Sequence, residues 1–381
     1  MKEEFISLVK ELYGNDFVPL HRPVFEGNEK QYLLDCIDSN FVSSVGVKVT
    51  EFERIIANFT SSKFAVATVN GTSALHMCLH LVGVSDGDEV ITQALTFVAT
   101  ANAISYCSAI PVFIDVDEDT MGLSPSSLRT FLENYAEIRD GVCFNRQTGR
   151  IIKACVPMHT FGFPCRIQEV SEVCKKWNIE LVEDAAESLG SYFENRHTGT
   201  FGRFAAISFN GNKIITTGGG GMLITDDENL AKRAKHLTTT AKVPHAYAFD
   251  HDEIGYNYRM PNLNAALGCA QMELLSKMLF KKNALASSYS NFFDKFGIEM
   301  IKPIVGAKTN NWLNAVILNS KKDRDEFLSF TNNNGVMTRP VWNLLSNLRM
   351  FKNSQNDGLV NSKWILDHIV NIPSSVPLNS D

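Results

Sequence analysis

The chain has 381 residues, 44% hydrophobic and 20% charged, with a formal net charge of −6. That length exceeds one ordinary core and predicts two domains, and the acid excess argues against nonspecific nucleic-acid binding, which needs a basic surface. No apolar stretch approaches the ~20 residues of a membrane-spanning helix, and the eight cysteines show no CxxC pair or regular spacing. Cys78, Cys155 and Cys269 sit inside apolar runs and read as reduced core residues, with no metal site expected.

The opening stretch, MKEEFISLVKELYGND, carries acids at helical spacing and lacks a signal-peptide core, so a cytoplasmic protein is expected. An extended Pro-containing entry, VPLHRPVF, leads into a helix in which Leu33, Cys36 and Ile37 share a face. The loop Ser43-Ser44-Val45-Gly46 then precedes another helix, and by itself reads as a connector.

Strand-like FAVATV runs into Asn70-Gly71-Thr72-Ser73, which opens an apolar helix. A small-residue turn at a helix N-terminus offers free N–H groups to a phosphate, though it also suits any tight strand-to-helix turn. DEVITQ is the next strand, followed by a turn carrying Phe97; PVFIDVD and IKACVPM continue the alternation, with a helix from about Ser124 to Tyr135 between them. Alternating strands and helices predict a largely parallel sheet with crossover helices. His159 follows the IKACVPM strand and either lines the same edge or serves as a hydrogen-bonded structural histidine.

The apolar run IELV ends in Glu183-Asp184, where a buried strand would leave the sheet. After a second run, AAISF with Ser208, comes Lys213, followed by Thr216, Thr217 and the glycines 218 to 221. A strand-end acid, a lysine and a glycine turn are what pyridoxal phosphate chemistry needs. The lysine amine, made more nucleophilic by desolvation, bonds to the cofactor aldehyde, and the acid keeps the pyridine nitrogen protonated.

The segment DENLAKRAKHLTTT is a surface helix with acids early and bases late. Next come the Gly255–Pro261 stretch and a helical pattern from about Pro261 to Lys282. The remainder, with strand-like NAVILN, helical KKDRDEFLSFTNNNG and the VMTRPVWNLL element, reads as a smaller α/β unit. The division expected is 1–285 for the larger unit, with its helical N-terminal segment, and 286–381 for the smaller.

EDAAESLGS, GTFG, SFNGNK and TTGGGGML, in this order, resemble the DegT/DnrJ/EryC1/StrS family of sugar aminotransferases, with matches from about Pro19 to about Trp342. The resemblance implies an α/β, three-layer fold type I large domain with a mostly parallel sheet and a smaller C-terminal α/β domain. It implies pyridoxal 5'-phosphate as cofactor, with Lys213 and Asp184 catalytic. Gly71, Thr72, Ser73 and Ser208 would hold the phosphate, with Phe97 stacked on the ring. Asn257, in GYNYRM, would reach the phosphate in the neighbouring subunit's site, giving a homodimer with shared active sites. The same resemblance puts Ser44 and Arg259 on the substrate side, and His159 is grouped with them on the reading that it lines the sheet edge. Glu187 stands where the family commonly has Gln or a related neutral residue near the ring oxygen, which leaves its hydrogen bond and charge open. Ser73 fills a slot often held by Ala.

The reaction implied is amino transfer from L-glutamate to a nucleotide-linked keto-sugar. VPLHRPVFEGNEK, TFVATANAI and FNGNKIITTGGGGML look most like the branch aminating C4 of UDP-linked 4-keto-6-deoxy-N-acetylglucosamine, with a GDP-4-keto-6-deoxymannose aminase as runner-up. Family dehydratases carry His in place of the lysine, which Lys213 argues against, and a non-catalytic nucleotide-sugar-binding homologue would be expected to lose the acid or the lysine.

Overall fold

The computed structural model describes residues 1–377. Helices α1 (Lys2–Tyr13), α2 (Glu29–Asp38) and α3 (Val47–Thr60) precede the first strand. Among the described residues, seven strands form the central sheet: β1 (Phe64–Thr68), β2 (Glu89–Gln93), β3 (Ile110–Ile114), β4 (Ile152–Val156), β5 (Glu180–Asp184), β6 (Phe204–Ser208) and β7 (Gly221–Thr225). Their order is β1-β7-β6-β5-β4-β2-β3. Pairs β2·β3, β2·β4, β4·β5 and β5·β6 are parallel, and β7 alone runs against both its neighbours.

Crossover helices α4 (Gly71–Leu81), α5 (Val98–Tyr106), α6 (Pro125–Tyr135) and α7 (Ile167–Lys176) connect the strands, and α8 (Glu228–Thr238) follows β7. Helices on both faces explain why β2, β6 and β7 are buried along their whole length and read as continuous rather than alternating runs. The expected helix starts hold: Ser124 caps α6 with Pro125 in the first turn, and the Asp227 carboxylate accepts from Asn229 and Leu230 N–H at the start of α8.

Helix α9 (Asn262–Asp294) runs 33 residues, twelve beyond the expected end at Lys282. The extension holds because Leu285, Tyr289, Phe292 and Phe293 keep helical spacing and pack against Phe5 and Phe327. Helix α10 (Lys321–Asn333), helix α11 (Val360–His368) and strands β8 (Asn314–Ile317), β9 (Arg339–Pro340) and β10 (Ile369–Ile372), in sheet order β8-β10-β9, form the C-terminal unit. Helix α1, grouped in the sequence division with the larger unit, packs on this smaller one: Phe5, Val9 and Val18 join its core, and Val18 N–H donates to Gly335 O at 2.8 Å. No helix among the described residues is long and apolar enough to cross a membrane.

Candidate active site

The parallel strands bring their C-terminal ends to one sheet edge, where α/β folds place ligands. There a cavity of about 400 Å³ is lined by Gly71, Thr72, Phe97, Asp184, Glu187, Ser208 and Lys213, with Trp312 and Trp342 from the C-terminal unit. Seven of the residues singled out from the sequence therefore converge on one space.

Each arrives for a local reason. At the start of α4 the Asn70 side chain accepts from Ser73 N–H at 2.8 Å, which leaves the N–H groups of Gly71 and Thr72 without an intrahelical acceptor. Ser73 is thus part of the cap and stays off the lining. Residue 71 must be glycine, since a Cβ there would lie 2.9 Å from Ser208 Cβ. The glycine run lets backbone approach backbone: a Cβ on Gly221 would sit 2.3 Å from Asn70 O. The same loop is pinned from α9, where Asn264 Nδ2 donates to the carbonyls of Thr217 (2.7 Å) and Gly219 (2.9 Å).

Asp184 is buried at the end of β5. One oxygen accepts from Thr100 Oγ1 at 2.7 Å and the other from Ala186 N–H at 3.2 Å. Burial raises its pKa, opposed by those two hydrogen bonds and by the charge of Lys213. Lys213 Nζ lies 3.1 Å from Glu187 Oε1 and 4.2 Å from the centroid of the Trp312 ring. Glu187 Oε2 accepts from Phe161 N–H at 2.9 Å. Burial pushes the Glu187 carboxyl up to about 7, against the pull of Lys213 and the Phe161 amide. The hydrogen-bond partners that the sequence left open for Glu187 are Lys213 Nζ and the Phe161 N–H.

A carboxyl whose folded pKa is raised stabilises the fold below its unfolded pKa and loses that contribution as pH rises through the folded value. In cofactor-free protein, Glu187→Gln should match wild type near pH 4.5 and become relatively more stable up to about pH 7, by roughly 3 kcal/mol. Chemical denaturation of both proteins across that window checks the prediction, and parallel curves would refute it.

Three residues assigned to the substrate side lie elsewhere. His159 is fully buried: its Nε2 is 3.0 Å from Glu183 Oε2 and its Nδ1 accepts from Cys165 N–H. Burial opposes its protonation, but Cys165 and the Glu183 carboxylate raise its pKa. The structural alternative is therefore the one the geometry shows. Ser44 lies on a loop tied to α9 by Asn262, whose Nδ2 donates to Phe41 O at 2.6 Å, beside a separate hollow of about 480 Å³. Arg259 and Asn257 are exposed and bonded to each other, Nε to Oδ1 at 3.1 Å, and neither is part of the cavity lining of their own chain.

Thr100, Trp312 and Trp342 were not found from the sequence. Trp342 stands 4.7 Å from Phe161 and 6.4 Å from Phe97, centroid to centroid, so Phe97 and Trp342 give the cavity lining an aromatic patch.

The donor set fits pyridoxal phosphate. A helix N-terminus with a hydroxyl beside it suits the phosphate, an exposed Phe97 face suits the ring, a buried carboxyl suits the pyridine nitrogen, and an amine stands between them. Fold, site and family match together define a fold type I pyridoxal phosphate-dependent aminotransferase. An aminotransferase TlmJ from Streptoalloteichus hindustanus superposes with a TM-score of 0.85 at 23% identity, covering 96% of this chain and 95% of that one. The GDP-perosamine synthase of Escherichia coli O157:H7 is 33% identical over 88% of this chain and 87% of its own length, and that of Caulobacter vibrioides 35% identical over 84% and 83%. The DegT/DnrJ/EryC1/StrS aminotransferase family matches residues 23–381, and the chain belongs to it.

Proposed function

We propose that this sugar aminotransferase, acting in the cytoplasm, transfers the amino group of L-glutamate to C4 of a nucleotide-linked 4-keto-6-deoxy sugar, specifically UDP-2-acetamido-2,6-dideoxy-4-keto-hexose. The observation that carries the reaction class is the convergence of Lys213, Asp184, Ser208 and the α4 N-terminus on one cavity. The UDP-acetamido sugar rests on the resemblance of VPLHRPVFEGNEK and FNGNKIITTGGGGML to that branch. A second reading, GDP-4-keto-6-deoxymannose, is favoured by the similarity to GDP-perosamine synthases.

When bound, pyridoxal phosphate supplies an aldehyde carbon for the amine and an electron-withdrawing ring. Gly71 and Thr72 N–H with the Ser208 hydroxyl would hold the phosphate, and the Phe97 face would keep the ring in register while excluding water. Asp184, set by Thr100 and Ala186, would hold a proton on the pyridine nitrogen. Lys213 Nζ would accept the proton of the donor's α-carbon in the first half reaction, which yields 2-oxoglutarate. It would deliver a proton to the sugar's C4 in the second.

We also place Asn257 and Arg259 in the site of a second copy across a two-fold interface. Supporting this, both are exposed in the single chain, and Ile254, three residues before Asn257, exposes 86% of its surface.

The test is to supply UDP-, GDP- and dTDP-linked 4-keto-6-deoxy sugars with glutamate and detect the amino sugar by mass spectrometry. Amination of the UDP-acetamido substrate is expected. Turnover of the GDP sugar alone would select the second reading, and turnover of none would overturn both.

A further inference from the structure

Lys213 has two partners in the cavity, and the residues behind them are locked to one another. The Glu187 carbonyl and the Leu189 carbonyl accept from Asn310 Nδ2 at 2.8 and 2.9 Å. Asn310 Oδ1 in turn accepts from Trp312 N–H at 2.8 Å, and Trp312 Nε1 donates to Asn212 O at 2.7 Å. Asn212 is the residue before the lysine, so the circuit from Glu187 through Asn310 and Trp312 closes on the Lys213 turn. The Trp312 carbonyl also accepts from the buried Lys282 Nζ at 3.2 Å. An indole fixed at its backbone and at its ring nitrogen cannot swing away, and it presents its face to Lys213 Nζ.

We infer that Glu187 and the Trp312 indole face form a docking site for the ammonium form of Lys213, the state it passes through once its amine, released from the cofactor, has taken up a proton. A transaminase of two half reactions must release its lysine and take it back, as the proposed function requires of Lys213. A released ammonium in a buried site needs a fixed counter-charge, because desolvation otherwise drives off its proton. Glu187 supplies that charge at 3.1 Å, held on its other oxygen by Phe161 N–H. The quadrupole of the Trp312 ring, at 4.2 Å, attracts a cation more strongly than a neutral amine. An ordinary lysine–glutamate pair would need no such second partner. The clamp makes Trp312 and Glu187 positioning residues whose substitution leaves Lys213 more open to acylation before any cofactor is bound.

The experiment titrates Lys213 in cofactor-free protein. Pulses of acetic anhydride from about pH 6 to about pH 10 are followed by peptide mass spectrometry, with the exposed Lys232 as internal reference. Compared are wild type, Trp312→Phe, Trp312→Leu and Glu187→Gln. Relative to wild type near pH 8, acylation of Lys213 should rise about 2–5-fold in Trp312→Leu, roughly tenfold in Glu187→Gln, and less than about 2-fold in Trp312→Phe, which keeps an aromatic face. If Trp312→Leu fails to fold, as judged by circular dichroism, Trp312→Met fills most of the volume without the ring and takes its place. Equal titration of Lys213 in wild type and the leucine or methionine variant overturns the clamp, as does equal behaviour of the phenylalanine and leucine variants. Borohydride labelling of wild-type holoenzyme runs alongside. Absence of cofactor from Lys213 would refute the assigned function, whereas normal labelling with an unchanged titration defeats the clamp alone.

Discussion

Lys213→Ala should lower turnover by about 10⁴-fold or more, because the proposed mechanism makes one residue both the cofactor's attachment point and the group that moves the proton. The fold should survive, since the side chain lies at a cavity wall and its ion pair with Glu187 is its one carboxylate contact among the described residues. Reduction of wild-type holoenzyme with borohydride followed by peptide mapping should place the label on Lys213. A label on Lys242, Lys232 or another lysine would sink the assignment. The same variant reports on assembly. If Asn257 reaches the phosphate across a two-fold interface, as proposed, Asn257→Asp would set a carboxylate against the phosphate of the neighbouring site and weaken cofactor retention. Mixing these two inactive proteins under subunit exchange should regenerate one intact site per heterodimer, so activity returns. A mixture that stays dead although heterodimers form, with Asn257→Asp itself impaired, places Asn257 within its own chain's site.

The strand–helix alternation was legible because strands covered on both faces must be apolar, and FAVATV, DEVITQ, PVFIDVD and AAISF each became a strand of the central sheet. Asp184 and Lys213 were legible because polar groups at the ends of such runs stand out. Neighbouring residues of a strand point to opposite faces, and that parity explains the fate of His159. Asp184 turns into the cavity, and Glu183 turns away, where it accepts from Gly199, Phe201 and Gly202 N–H at 2.6–2.7 Å as well as from His159. The histidine at the end of β4 follows Glu183, not Asp184. Trp312 and Trp342 were hidden because an aromatic in a distant unit reads like any core residue until the chain is folded back. Thr100 was hidden inside an apolar helix, VATANAISY, where a hydroxyl gives no signal until its acceptor is known. The end of α9 was missed because Lys281-Lys282 reads as a polar stop, whereas Lys282 is fully buried and donates to the carbonyls of Trp312 and Ser374.

Asp184→Asn should leave a folded protein that transaminates roughly 10²–10³-fold more slowly, a loss of about 3–4 kcal/mol by comparison with other buried groups that meet developing charge. Stability and catalysis should move in opposite senses, which makes the prediction specific. Without cofactor, burial of the Asp184 carboxylate outweighs its two hydrogen bonds and the charges of Lys213 and His159, and its pKa is raised accordingly. An amide at the same place pays no such penalty. Its oxygen can still accept from Thr100 Oγ1, so cofactor-free Asp184→Asn should be at least as stable as wild type in denaturant. With cofactor the balance reverses, because a protonated pyridine nitrogen would then face a neutral amide in a site that excludes water, and electron withdrawal by the ring falls with the loss of that proton. Near-normal turnover with cofactor retained would remove Asp184 from the mechanism. A marked drop in the stability of the cofactor-free variant would instead assign the carboxylate to the fold.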